Sequence, residues 1–258
     1  MKNNKQKILI LSDLNKSTSN IIKSSISLAN ILNADINFFY VKRPIEVIEK
    51  ESQLSAMRTI NRDYLSTDKK IKEIINPISS IYNVNINHTF TFGNIKNEIE
   101  KYIDENKPDI IVLGKRKSKM INFFGDNITQ FILKKHKGTI VIANDKNTLE
   151  PNKELYLGLF DNATIKGNYT EGIINASQKP LTYFKIAKSS NIIEKELSLK
   201  DKKTVEYVFE KGDDVIKNIS NYLSKSNINL LFVDREKNNA SSIKDVINNL
   251  DCSLILTT

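Results

Sequence analysis

The stretch FGNIKNEIEKYIDENKPDIIVLG, residues 92–114, decides the fold. Gly93 and Asn94 open a segment in which Ile95, Ile99, Tyr102 and Ile103 recur at helical spacing. Pro108 then precedes four apolar residues in a row, Ile110 to Leu113, which stop at Gly114. A helix feeding a continuously apolar strand is half of a βαβ unit. Strands apolar on both faces belong to parallel sheets covered on both sides.

The pattern extends outward from this stretch. Upstream, a short apolar run at 6–12 ends at Asp13, and a helix is expected over 18–33, with Ser17 or Thr18 as its cap. A strand follows at 35–41. The segment 48–80 is long and helical in spacing, with Pro77 marking a kink or a late break. Residues 84–92 alternate at period two, which puts Val84, Ile86, His88, Phe90 and Phe92 on one face. Downstream, a basic loop from Lys115 to Lys119 leads to a helix near 124–136 and a strand from Thr139 to Ala143.

The same order then recurs. KGDDVIKNISNYLSKSNINLLFVDR, residues 211–235, lies over the opening stretch. Leu155–Phe160 ends at Asp161 as the first strand ends at Asp13. Further strands are expected at Leu181–Ala187, Thr204–Phe209, Ile228–Val233 and Ser253–Thr257. Two units result, 1–146 and 154–258, joined by a polar linker. The second is shorter, mainly through loss of the 48–80 segment.

Composition removes several function classes. A single cysteine, Cys252, excludes an intrachain disulfide framework and a cysteine-clustered metal site. Two histidines, His88 and His136, are too few for a histidine-rich metal centre, although carboxylate binding of Mg²⁺ stays open. No apolar run has the length of a signal-peptide core or a membrane span, so a cytoplasmic protein with no membrane partner is expected. The net charge of +9 is lopsided. Residues 1–148 hold 24 Lys/Arg against 15 Asp/Glu, and residues 149–258 hold 15 of each. The basic loop lacks interleaved aromatics, which argues against nucleic acid as a partner. His88 reads as a partly buried or helix-packed residue, His136 as a solvated or capping residue at a helix end, and Cys252 as a small buried hydrophobe.

The order and spacing of these landmarks, seen twice, resemble a tandem universal stress protein of the adenine nucleotide alpha-hydrolase-like superfamily. The resemblance rests on Asp13, the strand FFYV at 38–41, the Gly93 turn, IIVLG at 110–114 and TIVIA at 139–143. It implies an α/β fold: two Rossmann-like parallel sheets of order 3-2-1-4-5 that pack face to face as an internal pseudo-dimer through their fifth strands. Homodimerisation through closing-strand edges or exposed faces is a further expectation.

Nucleotide-binding members resemble G-x2-G-x9-G-(S/T) after the fourth strand, where backbone amides approach the phosphates. Here Gly114 matches the first glycine, Lys117 stands at the second, and Gly125 comes early with Asp126 where a hydroxyl is expected. A carboxylate there repels a triphosphate unless a cation bridges it. Asp13 and Val41 match the residues near the adenosine. Asp13 reads first as a turn or capping carboxylate, and Val41 first as core. The second unit has no glycine after its fourth strand, and no nucleotide is expected there. The resemblance thus implies a non-enzymatic stress-response protein with no cofactor and weak or absent nucleotide binding. The alternative is ATP or AMP, with or without Mg²⁺, held in the first unit by Asp13, Val41, Gly114, Lys117, Gly125 and Asp126.

Overall fold

The computed structural model describes residues 5–43, 53–115, 128–161, 163, 168–177, 179–187 and 203–257. The first half runs β1 (Lys7–Leu11), α1 (Thr18–Leu32), β2 (Asp35–Lys42), α2 (Gln53–Tyr82), β3 (Ile86–Phe92), α3 (Ile95–Asn106), β4 (Ile110–Gly114), α4 (Ile128–Lys135) and β5 (Thr139–Ala143). The second half runs β6 (Leu157–Phe160), α5 (Asn168–Ala176), β7 (Leu181–Ile186), β8 (Thr204–Phe209), α6 (Val215–Lys225), β9 (Leu230–Asp234), α7 (Ala240–Asn249) and β10 (Ser253–Thr257).

Each half has the expected strand order, 3-2-1-4-5, with every pair inside a half parallel. The junction differs from the expectation. The halves meet edge to edge rather than face to face, so one ten-stranded sheet runs through the whole chain. β5 and β10 pair antiparallel, with Val141 opposite Ile255, Ile142 opposite Leu254 and Ile140 opposite Leu256. Val141 and Ile255 are the middle residues of their strands, so a local two-fold axis passes between them. Both closing strands therefore have neighbours on each side. The closing-strand edges, one of the two places expected to carry a homodimer, are thus paired within the chain. The outer strands are β3 and β8.

Strand alternation builds two core layers. Ile8 and Ile10 of β1 point to one face, and Leu9 and Leu11 to the other. α1, α2 and α5 cover the first face, while α3, α4, α6 and α7 cover the second. Phe38, Phe160, Phe184 and Phe232 are wholly buried, and each such side chain contributes roughly 1.5–3 kcal/mol of apolar transfer. α1 and α5 pack on each other across the junction.

Local signals played out unevenly. Asn94 caps α3, accepting from the amides of Lys96 and Asn97, as Asn does at helix starts. α2 runs through Pro77 for five more residues. Neither Ser17 nor Thr18 caps α1 through its hydroxyl. Ser17 sits at the cap position but donates to Asn15 Oδ1 at 2.6 Å, and the buried Thr18 pairs with Ser12 Oγ at 2.8 Å. Val84 falls outside β3.

Candidate functional site

In an open parallel sheet, ligands bind where the strand order reverses, beyond the carboxyl ends of the strands. In the first half that point lies between β1 and β4. Asp13 sits there, exposed, two residues past β1, and Leu14 follows in the left-handed region at φ 56°. Asn15 Oδ1 takes the Ser17 amide at 2.8 Å, so the first turn of α1 is closed by its own chain.

Beside Asp13 stands a group not foreseen from sequence. Burial, then the charges of Asp13 and Asp63, push the Tyr40 phenol above its ordinary value. Lys42 forms an ion pair with Asp63, lies 3.2 Å from Thr67 Oγ1, and sits over the Phe92 ring at 5.8 Å. Asp63 and Thr67 come from α2, the long segment whose spacing spoke only of a helix. Val41 faces the opposite core layer from these groups and is buried, which fits the core reading.

Gly114 ends β4 under close constraint. A Cβ at this position would lie 2.6 Å from Ile21 Cδ1. The missing side chain makes room for α1. Lys117, Gly125 and Asp126 lie outside the described residues. Lys115 does not add its charge to the loop after β4. Its ammonium reaches across the junction to the Leu250 carbonyl at 2.5 Å, at the end of α7, and burial lowers its pKa.

The second half repeats this crossing. Arg235 follows β9 as Lys115 follows β4. Each donates its amide to the end of its closing strand, Arg235 to Thr257 and Lys115 to Ala143, both at 2.8 Å. The Arg235 guanidinium takes the carbonyls of Leu133 at 3.3 Å, His136 at 3.2 Å and Gly138 at 2.6 Å, at the end of α4. Two cations thus cap each other's helix across the pseudo-two-fold axis, where the helix dipole favours them.

The second crevice is filled from within. Asp234, at the position of Gly114, is buried, and its Oδ1 accepts from the amides of Glu236 at 2.9 Å and Lys237 at 3.1 Å. A carboxylate occupies backbone donors of the kind that hold phosphate in such loops. The overlay of Asp161 on Asp13 needs correction. Leu157 pairs with Leu230 as Ile8 pairs with Ile110, so the register sets Asp161 against Ser12, one residue earlier.

The histidines and the cysteine divide. His88 Nε2 meets Asp68 of α2 at 3.0 Å, the helix-packed arrangement. Cys252 is buried, and desolvation pushes its thiol up to about 12. His136, read as a solvated or capping residue, is buried directly after the last residue of α4, where its amide donates to the Ile132 carbonyl at 2.9 Å. Desolvation and then the Arg235 charge hold its pKa below 6.5, opposed by the carbonyl and carboxylate of Asp109. The unfolded chain therefore binds that proton more readily. Stability is full above pH 6.5 and falls as pH drops through that value toward the folded pKa. We expect the urea midpoint to decline between pH 7.5 and 5.5, and His136→Leu to flatten that decline. An unchanged slope in the variant would show that His136 titrates alike in both states.

No protein-family model matches this chain, and no curated protein matches it. Solved structures do. A universal stress protein from Archaeoglobus fulgidus aligns over 98% of this chain and 98% of its own, with a TM-score of 0.68 at 11% identity. A functionally unknown protein from Pseudomonas aeruginosa aligns over 98% of this chain and 92% of its own, with a TM-score of 0.57 at 8% identity. The likeness is one of fold, and it extends along the whole chain.

Proposed function

We propose that the chain is a universal stress protein of the two-unit kind, with units at 1–146 and 154–258, acting in a stress response without catalysis and with weak or absent nucleotide binding. The observation that carries this reading is the use of the two strand-4 exits. Asp234 satisfies the loop amides of the second unit, and Lys115 is drawn away from the loop of the first. Both exits contribute to holding the units together through Lys115 and Arg235, and in the second unit Asp234 takes up two loop amides of the kind a phosphate would use. No helix among the described residues is long and apolar enough to cross a membrane.

The second reading places an adenine nucleotide in the first-unit crevice, with Asp13, Val41, Gly114, Lys117, Gly125 and Asp126 around it. Asp13 beside Tyr40 at the carboxyl edge of the sheet favours it. Calorimetry with ATP, ADP and AMP, with and without Mg²⁺, separates the two. We expect no saturable heat tighter than ~1 mM, about −4 kcal/mol. Micromolar binding that disappears in Asp13→Ala would overturn the first reading and establish the second.

A further inference from the structure

β3 and β8 end the sheet, each with a strand on one side only. Their residues correspond through the register. Leu9 pairs with Asn37 as Gly158 pairs with Thr182, and those two pair with Asn87 and Val205. Asn87, Thr89 and Thr91 of β3 therefore stand where β8 has Val205, Tyr207 and Phe209. The same fold carries a polar row on one free edge and an apolar row on the other. No residue of β8 is buried. Among the described residues of the second half, the large apolar side chains left exposed are Val205, Val208 and Tyr222, at 40%, 64% and 40%. All three lie at this edge, since the Tyr222 ring of α6 is 5.2 Å from that of Tyr207 and 5.4 Å from that of Phe209. An exposed apolar edge strand is a template for another strand.

The backbone shows which groups are free. The Leu181 amide donates to the Lys203 carbonyl and the Ala187 amide to the Phe209 carbonyl. Odd-numbered residues of β8 thus turn their amides and carbonyls to β7, and Thr204, Glu206 and Val208 turn theirs outward. A second copy of β8, related by a two-fold axis normal to the sheet, pairs antiparallel and sets one residue against its own copy. Two centres, Glu206 and Tyr207, keep about five strand residues paired. Centring on Glu206 sets two carboxylates directly opposite, which is destabilising. Centring on Tyr207 avoids this. It sets Val205 against the partner's Phe209 and Tyr207 against the partner's Tyr207, pairings of β-branched and aromatic residues that stabilise a ladder. Glu206 then exchanges backbone bonds with the partner's Val208, both through outward-facing groups. The Glu206 carboxylate is already held by Lys185 at 2.9 Å.

We propose that β8 is a homodimerisation edge. Two copies of the chain join through antiparallel β8 strands centred on Tyr207, so that one sheet runs through both. The junction repeats between chains what β5 and β10 do within one, an antiparallel pair about a two-fold axis. The Tyr222 rings flank that axis and are covered by the pairing.

Sedimentation velocity of the full chain from about 5 to about 200 μM, a range that brackets a dissociation constant on the order of 10 μM, should show monomer giving way to dimer. Val208→Pro removes an outward amide and no bond to β7, a place where an edge strand accepts proline. It should weaken association about tenfold or more. Met57→Lys, on the exposed side of α2, should leave association unchanged. Cross-linking tests the register. At the Tyr207 centre the two Cα atoms lie about 4.5 Å apart, as in any non-hydrogen-bonded antiparallel pair, which is within reach of a disulfide. Cys252 is buried, so Tyr207→Cys should give a disulfide-linked dimer on mild oxidation. Val205→Cys should not, because its two copies lie at opposite ends of the ladder. If Val208→Pro does not fold, this pair of cysteine variants decides. Association indifferent to Val208→Pro, or equal cross-linking of the two cysteine variants, would overturn the proposal. So would a full chain still monomeric at about 200 μM, which would leave the edge to a strand of another protein or to solvent.

Discussion

Residues 1–150 produced alone are expected to form a homodimer. In the full chain β5 lies between β4 and β10, and all of its residues are buried. Removing the second half uncovers one complete row of backbone donors and acceptors together with apolar side chains of both layers. An edge of this kind seeks another strand. The β5–β10 pairing is itself nearly symmetric, with Val141 opposite Ile255 at the centre. A second β5 can take the place of β10 in the same register, setting Val141 against Val141 and Ile140 against Ile142. Lys115 already projects across the junction to a helix end. In the homodimer it would meet the end of the partner's α4, which Arg235 caps in the full chain. Two apolar faces and a strand ladder are ample for association at micromolar concentration, about −8 kcal/mol. Light scattering checks this directly. Val141→Pro, which breaks the ladder in mid-strand, should abolish the dimer. A monodisperse wild-type monomer at 50–100 μM, roughly a hundred times that dissociation constant, would refute the expectation.

The sheet was legible because its strands are apolar on both faces and its helices alternate with them. Ile110–Leu113 and Leu230–Val233 declare themselves at once, and the order 3-2-1-4-5 followed from the resemblance they carry. The contacts hardest to read from the sequence join residues about a hundred positions or more apart. Nothing local marks Lys115 as a cap for α7 rather than a member of a basic loop, since its acceptor is 135 positions away. His136 among lysines at a helix end reads as a solvated or capping residue, and its flanking lysines hide that the ring is buried beside Gly138. The one-residue error at Asp161 is local. Leu155 reads as strand but makes only an isolated bridge to Ser177, so β6 begins later than the apolar run suggests. For the candidate crevice, Asp13 and Val41 were visible as landmarks, whereas Tyr40, Lys42, Asp63 and Thr67 converge only through the packing of α2.

The largest single-residue effect is expected at Arg235. Its guanidinium fastens three carbonyls of the other half, at Leu133, His136 and Gly138, and is half-buried as it does so. Hydrogen bonds from a charged donor contribute roughly 1.5–3 kcal/mol each in net terms. Some of that returns when freed carbonyls find water, so Arg235→Met should lose about 3 kcal/mol in all. For a domain of 150–250 residues this is a fall of roughly 6–12 °C in Tm. Met keeps most of the apolar stem, so the loss reports the guanidinium and not the packing. Arg235→Lys should recover only part, because an ammonium lacks the fork that spans several acceptors. The chain contains that comparison already: Lys115, at the equivalent position, reaches one carbonyl where Arg235 reaches three. Lys115→Met should accordingly cost little, since the lost hydrogen bond is offset by relief of a buried charge whose pKa desolvation already lowers. Urea titrations of the three variants give the test. The expected order of midpoints is Lys115→Met, then Arg235→Lys, then Arg235→Met lowest. Equal midpoints for the two methionine variants would mean that the crossing at Arg235 adds nothing beyond a surface contact.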